Sequence, residues 1–407
     1  MIRTACVAAL LALTPLPAIA APPHWVGSWA ASQQVPEPQN ALAPADLHDA
    51  TLRQVIRLSA GGNRIRLRLS NAFGTQPLVI DNVHVAHALS PAGARIDPAS
   101  DRPVTFNGLA SVTIPAGASY LSDPVAMAAA PLAVLAVSLH LPEAPDRQTG
   151  HPGSRSTSYL VHGDQSAAAD LANAQKVEHW YQLAGIEVEA PAAAGAVVTL
   201  GDSITDGHGA TTNGNDRWPD RLAERLQATP ATRSLSVLNQ GIGGNRLLLD
   251  GLGPNALARF DRDVLAQPGV RTVVLLEGVN DLGTFTRDAP ASPEGHAALV
   301  AQLIGAYRQI VERAHAQGVK VIGATILPYG GNGYYHPDAA NEADRQAINR
   351  WIREPGHFDG VVDFDRVTRD PAHPDHLRPD FDSGDHLHPS PKGYKAMADA
   401  VPLALLR

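Results

Sequence analysis

The residues best suited to chemistry stand in four short blocks. Gly201-Asp202-Ser203-Ile204 presents a serine directly after an apolar run, and Asp385-His386-Leu387-His388-Pro389 stands near the other end of the chain. A serine hydroxyl is a poor nucleophile until a neighbouring imidazole takes its proton, and that imidazole needs a carboxylate to fix its tautomer and orientation. Asp385 and His388, three residues apart, can meet within one turn of chain and deliver such a dyad to Ser203. Alternation along the loop points His386 elsewhere and favours His388 as the base. Acyl transfer also requires donors aimed at the oxygen that becomes negative. Asn239-Gln240-Gly241-Ile242-Gly243-Gly244-Asn245 offers backbone N–H groups that glycine leaves approachable, and Gly278-Val279-Asn280-Asp281 offers a side-chain amide. Singly, each block reads as an ordinary turn or cap. Three of them at strand ends, with Asp-x-x-His ahead of a final helix, form a combination that chance rarely produces.

These blocks need a frame that brings strand ends to one rim. Val197–Leu200, Ser236–Leu238, Thr272–Leu276, Val319–Ala324 and Val361–Phe364 read as buried strands. Helical patterns at Arg217–Gln227, Ala256–Leu265, Pro293–Gln317, Ala339–Arg353 and Pro391–Leu406 lie between and after them. The alternation predicts an α/β fold, a parallel sheet with helices on both faces, with ligands bound at the carboxyl ends of the strands. From His24 to about Glu189 the pattern differs. Thr51–Leu58, Ile65–Leu69, Leu78–Ala86, Val112–Ile114, Leu132–Leu139 and Ile186–Glu189 read as short strands separated by Gly, Pro, Asn and Asp, which predicts an N-terminal β-sandwich. Ala167–Ala174 reads as a short helix and Pro191–Gly195 as a link. The expected organisation is therefore 1–20, 21–190 and 191–407.

Met1–Ala20 carries Arg3, an apolar run and Ala18-Ile19-Ala20, the pattern of a secretory signal cleaved after Ala20. The expected destination is the periplasm or the medium, with no later apolar run long enough to span a membrane. The only cysteine, Cys6, lies in that leader, so neither a disulfide framework nor thiol catalysis is expected of the mature protein. A formal charge of −8, which becomes more negative once Arg3 is removed, gives no electrostatic footing for nucleic acid.

The four blocks, in this order, resemble those of the SGNH (GDSL-type) hydrolases, with Ile204 where the family name has Leu. That resemblance spans about Val197 to the end and implies Ser203 as nucleophile and Asp385 and His388 as its triad partners. It implies an oxyanion hole made by the backbone N–H of Ser203, that of Gly244, five residues on from Asn239, and the amide of Asn280. It implies neither metal nor cofactor. The longer run Gly201–Thr212, with Asn215–Pro219 and Asn239–Leu248, and the stretches Trp25–Ala30 and Leu69–Gly74, resemble a secreted bacterial subfamily associated with xylan-degrading systems. An acylated carbohydrate or another small ester is then the expected substrate, and a generalist arylesterase or lipase-like acylhydrolase is the alternative.

Two other readings compete. His373, Asp375, His376, Asp380, Asp382, Asp385, His386 and His388 are types that hold metals, although they crowd into one proline-rich loop. Trp25, Trp29, Phe73, Tyr120 and Tyr159 could stack on sugars and make the N-terminal region a binding module, or that region could reach the active-site rim, for example through Asn71 or Arg155.

Overall fold

The computed structural model describes residues 23–407. The expected leader, with Arg3 and Cys6, lies outside the described residues. Strand Gly195–Gly201 is buried along its whole length, as Val197, Val198 and Leu200 require of a strand covered on both faces. Leu235–Gly241 and Val270–Leu276 flank it in parallel, and Lys320–Ala324 and Gly360–Val362 complete the sheet beyond Val270–Leu276. Chain order reverses at Gly195–Gly201, so the crevice at its carboxyl end is the natural ligand site. Helix Trp218–Ala228 packs on Pro391–Ala400, and Pro293–His315 packs on Ala339–Arg353. Right-handed crossovers put these two pairs on opposite faces.

Several element ends differ from expectation for local reasons. Arg217 is an N-cap with Pro219 in the first turn, so its helix begins at Trp218. The helix at Ala256 widens into a π turn from Asp261 to Leu265. The last helix stops at Ala400 ahead of Pro402, which cannot supply an N–H, and a 3₁₀ turn Leu403–Leu406 follows. Helix Val279–Thr286 is an addition. Gly283, a weak helix former, hides it from pattern reading, and Gly283 is needed because a Cβ there would run into the Tyr335 ring.

The N-terminal region is β-rich. One antiparallel sheet holds Trp25–Ala30, Leu183–Glu189, Gly62–Ser70 and Ser119–Leu121, with Val125–Ala129 also beside Gly62–Ser70. The other holds Gln175–Val177, Ser158–His162, Ala50–Arg57, Val134–Leu141, Asn82–His87 and Arg102–Pro103. Their apolar residues share one core, in which Ile65, Leu67 and Leu69 from the first sheet join Leu52, Ile56 and Val137 from the second. The intervening Arg66 and Arg68 both grip the buried Glu187 carboxylate.

Two expectations here are corrected. Leu78–Ala86 is two strands, because the chain changes sheets at Asp81: Leu78–Ile80 pairs with Val112–Ile114, and Asn82–His87 with Val134–Leu141. Ala167–Ala174 forms turns and no helix. The buried Arg53 guanidinium takes the carbonyls of Ser166 and Ala168, and Asn173 has φ 60°, which together hold the segment out of helical geometry.

The two regions are stitched together. Val26 and Ala30 join the core of the parallel sheet, Gly27 donates to the Pro268 carbonyl, and the Ser59 hydroxyl accepts from Val237 N–H. The Arg57–Glu224 ion pair, 2.9 Å, ties their rims. Of the aromatics that could stack on sugars, Trp29 and Tyr159 are core residues, Arg66 covers the Trp25 ring and Arg262 the Phe73 ring. No helix among the described residues is long and apolar enough to cross a membrane.

Candidate active site

The Ser203 strand ends in Gly201, where a Cβ would lie 2.6 Å from the Leu276 carbonyl, so only glycine lets the chain turn against the neighbouring strand. Asp202 then caps a single helical turn, Ser203–Asp206, by accepting the Ile204 N–H, and Gly207 ends it with φ 103°. Ser203 is thus held at the first position of a helix, on the floor of a cleft of about 1330 Å³.

His388 arrives from the loop before the last helix. Its Nε2 is 2.8 Å from Ser203 Oγ and its Nδ1 is 2.5 Å from Asp385 Oδ2. With Nδ1–H given to the carboxylate, Nε2 is the acceptor for the serine proton. Burial works against a charged Asp385, but the His388 ring and the backbone N–H groups of His388 and Leu387 outweigh it and hold the carboxyl well below its ordinary range. Asp385 therefore stays a carboxylate. His386 turns the other way, with φ 60° and Nδ1 2.7 Å from Asp382.

Three candidate donors line the same cleft. Among the described residues no internal acceptor takes the N–H of Ser203 or of Gly244, which has φ 71°. Asn280 also lines the cleft. One of its two N–H bonds goes to the Asn245 carbonyl, 2.7 Å, and its oxygen accepts from Tyr335 O–H, 2.6 Å, which orients the amide and leaves the second N–H free of internal partners. A serine hydroxyl hydrogen-bonded to an imidazole, a carboxylate on that imidazole and donors lining one cleft are the parts that acyl transfer through a tetrahedral intermediate needs.

Residues 199–396 match the model of the GDSL-like Lipase/Acylhydrolase family. That match covers just under half of the chain, and the chain is an ester hydrolase. Solved structures similar to this ester hydrolase include a putative lipolytic protein of the G-D-S-L family from Desulfitobacterium hafniense, 25% identical over 50% of this chain and 96% of that one, TM-score 0.37. An acetylxylan esterase from Geobacillus stearothermophilus is 23% identical over 51% and 91%, TM-score 0.38. A putative acylhydrolase from Bacteroides fragilis is 23% identical over 54% and 91%, TM-score 0.39. These scores mark a likeness and decide nothing further. No curated protein matches the chain.

The esterase site contains residues that pattern reading missed. His208, just past the Ser203 turn, lies with its ring 4.1 Å from that of His388 and its Nε2 3.9 Å from Asp385. Arg155, from the N-terminal region, donates to His208 Nδ1 at 2.8 Å. Burial, then the charges of His388 and Arg155, lower the His208 pKa to about 4, so this ring is neutral where its neighbour works as a base. Arg155 reaches the rim, as one reading expected. Asn71 does not: it is buried, and its amide is spent on the carbonyls of Gln76, Ile114 and Pro115. Asn332 holds the triad loop by donating to the Asp385 carbonyl.

The suspected metal cluster is rearranged. Among the described residues the group that comes within 4.8 Å is His208, Asp385 and His388. His373 pairs with Asp370, His376 with Asp375, and Lys392 and Arg378 take Asp380. Beneath the site, fully buried Arg259 donates to the carbonyls of Gly201 and Gln240 and to Asn245 Oδ1, and faces Asp263 and Glu277. It ties the strand ends that carry Ser203 and the glycine turn.

Proposed function

We propose that this ester hydrolase removes acetyl or similarly small acyl groups from plant polysaccharide or its oligosaccharides. Ser203 is the nucleophile, His388 the base and Asp385 its orienting carboxylate, with Ser203 N–H, Gly244 N–H and the Asn280 amide as the oxyanion hole. The observation that carries this reading is the unbroken line Ser203 Oγ, His388 Nε2, His388 Nδ1, Asp385 Oδ2 on the floor of an open cleft. We read the two N-terminal sheets as a β-sandwich domain covering 21–190, and the chain as exported by cleavage after Ala20.

The preference for a sugar alcohol rests on the wall of the cleft. Gln34, Glu37, Asn40, Arg155, His179 and Tyr334 line it, a polar surface with one exposed aromatic that suits a hydroxylated partner. Trp218 and Tyr329, which flank the same loops, are buried and do not line it. Pro152, Leu252 and Leu387 are the aliphatic side chains of the lining, with Leu252 beside Gly244. Each methylene that does not fit costs about 1–3 kcal/mol, or roughly tenfold in kcat/KM. The expected ladder is acetyl ahead of butyryl, with octanoyl barely hydrolysed, and acetate released from acetylated xylan. A kcat/KM that climbs from acetyl to octanoyl with interfacial activation would make the enzyme a lipase-like acylhydrolase.

Asn280→Ala tests the oxyanion assignment. It should lower kcat by roughly 100-fold or more while KM changes little, because the amide acts on charge that develops only in the transition state. A change confined to KM would place Asn280 in substrate binding.

A further inference from the structure

His151 of the N-terminal region is buried at 3% exposure on strand Gly150–His151, and both of its ring nitrogens face acceptors. Nδ1 is 2.8 Å from the Ser32 carbonyl and Nε2 is 2.8 Å from Asp206 Oδ1. The ring is thereby held between a backbone carbonyl and the Asp206 carboxyl, and the Trp180 ring stacks on it with 5.7 Å between centroids. Asp206 is the last residue of the turn that begins with Ser203, and its second oxygen accepts the Gly243 N–H at 3.1 Å. Arg217 lies over the far ring of the stack and donates to the Asp206 backbone carbonyl, leaving the carboxyl to His151 and Gly243. Gly153 passes so close that any Cβ would strike Asp206 Oδ2. The glycine turn 242–245 is therefore clamped at one end by Asp206 and at the other by Asn280 on the Asn245 carbonyl.

We propose that His151 is a positioning residue for catalysis: by holding Asp206 in place through the hydrogen bond from its ring, it fixes the Gly243 peptide and thereby aims the Gly244 N–H at the oxyanion. This rests on the esterase reading of the site, and it makes the N-terminal β-rich region part of the catalytic machinery. An oxyanion donor lost outright costs about 100-fold to 1000-fold, and one left in place but poorly aimed costs less.

The test uses the full chain. His151→Ala and His151→Gln are compared with Asp206→Asn, with the double variant His151→Ala/Asp206→Asn, and with Arg57→Ala, which opens the ion pair with Glu224 between the same two regions without removing a hydrogen bond to this turn. Kinetics on an acetyl ester are read beside affinity for a trifluoromethyl ketone, whose adduct with Ser203 places an oxyanion on the donors. The expected result is a kcat loss of roughly 10-fold to 100-fold in His151→Ala at nearly constant KM, matched by the loss in ketone affinity. Gln, which keeps one donor, should restore part of it, Asp206→Asn should add little on top of His151→Ala, and Arg57→Ala should stay near the parent. A folded His151→Ala or His151→Gln of parental kcat, an equal loss in Arg57→Ala, or a fully additive double variant would overturn the proposal. Full activity in Ser203→Ala would instead overturn the reading of the site on which it rests.

Discussion

Ser203→Ala is expected to abolish ester hydrolysis, a loss of several orders of magnitude, while the protein still folds. The hydroxyl's partner in the structure is His388 Nε2, and the Asp202 cap and Gly207 that shape the turn do not depend on it. His388→Ala should be similarly severe, because among the described residues no other imidazole is hydrogen-bonded to Ser203 Oγ. His208 faces Asp385 and accepts from Arg155, and His386 is committed to Asp382, so His386→Ala should be mild. Steady-state kinetics with far-UV circular dichroism on each variant check this. Near-parental turnover in purified Ser203→Ala would remove the nucleophile assignment.

The second large effect concerns stability. Arg259→Met should destabilise the protein by about 3–5 kcal/mol, since it leaves the buried Glu277 without its counter-charge, takes one of two arginines from Asp263 and cuts the ties between strand ends. The loss should depend on pH. Burial lifts Asp202 to about 7 and Asp281 to about 6, and lifts Glu277 well above its ordinary range with Asp202 adding to it. Carboxyls raised on folding bind protons more tightly in the native state. Their favourable contribution is complete below about pH 4 and is lost as pH rises towards 7. Arg259 opposes that loss at Asp202 and Glu277. Urea denaturation at pH 5 and pH 8 should therefore show a larger deficit for Arg259→Met at pH 8. An equal deficit at both would mean that Arg259 acts through its hydrogen bonds alone.

Much of the frame was legible without coordinates because its signals are local. Val197–Leu200 is too uniformly apolar for a half-exposed strand, and Gly201 and Gly207 bracket a turn that larger residues could not make. The alternation Ile65-Arg66-Leu67-Arg68-Leu69 divides one strand between core and rim. The three-residue spacing of Asp385 and His388 is likewise a property of one turn of chain, and so it survives translation from sequence to structure.

What the chain's order could not reveal is whatever depends on two distant segments meeting. His151 carries no motif, and it becomes informative only where Ser32 and Asp206 approach its two nitrogens. Arg155 and His208 are 53 residues apart in the chain, yet share a hydrogen bond beside the triad. Ala167–Ala174 has the composition of a helix, but the carbonyls that a helix would use internally go to Arg53, a tertiary partner that local propensity does not contain. The sequence by itself determined the parallel sheet, the candidate nucleophile and its acid–base pair, because periodicity and short spacing are written along one strand or one loop. Only the tertiary structure decided which side chains hold that site in shape, because hydrogen bonds and buried charges act through space and are indifferent to distance along the chain.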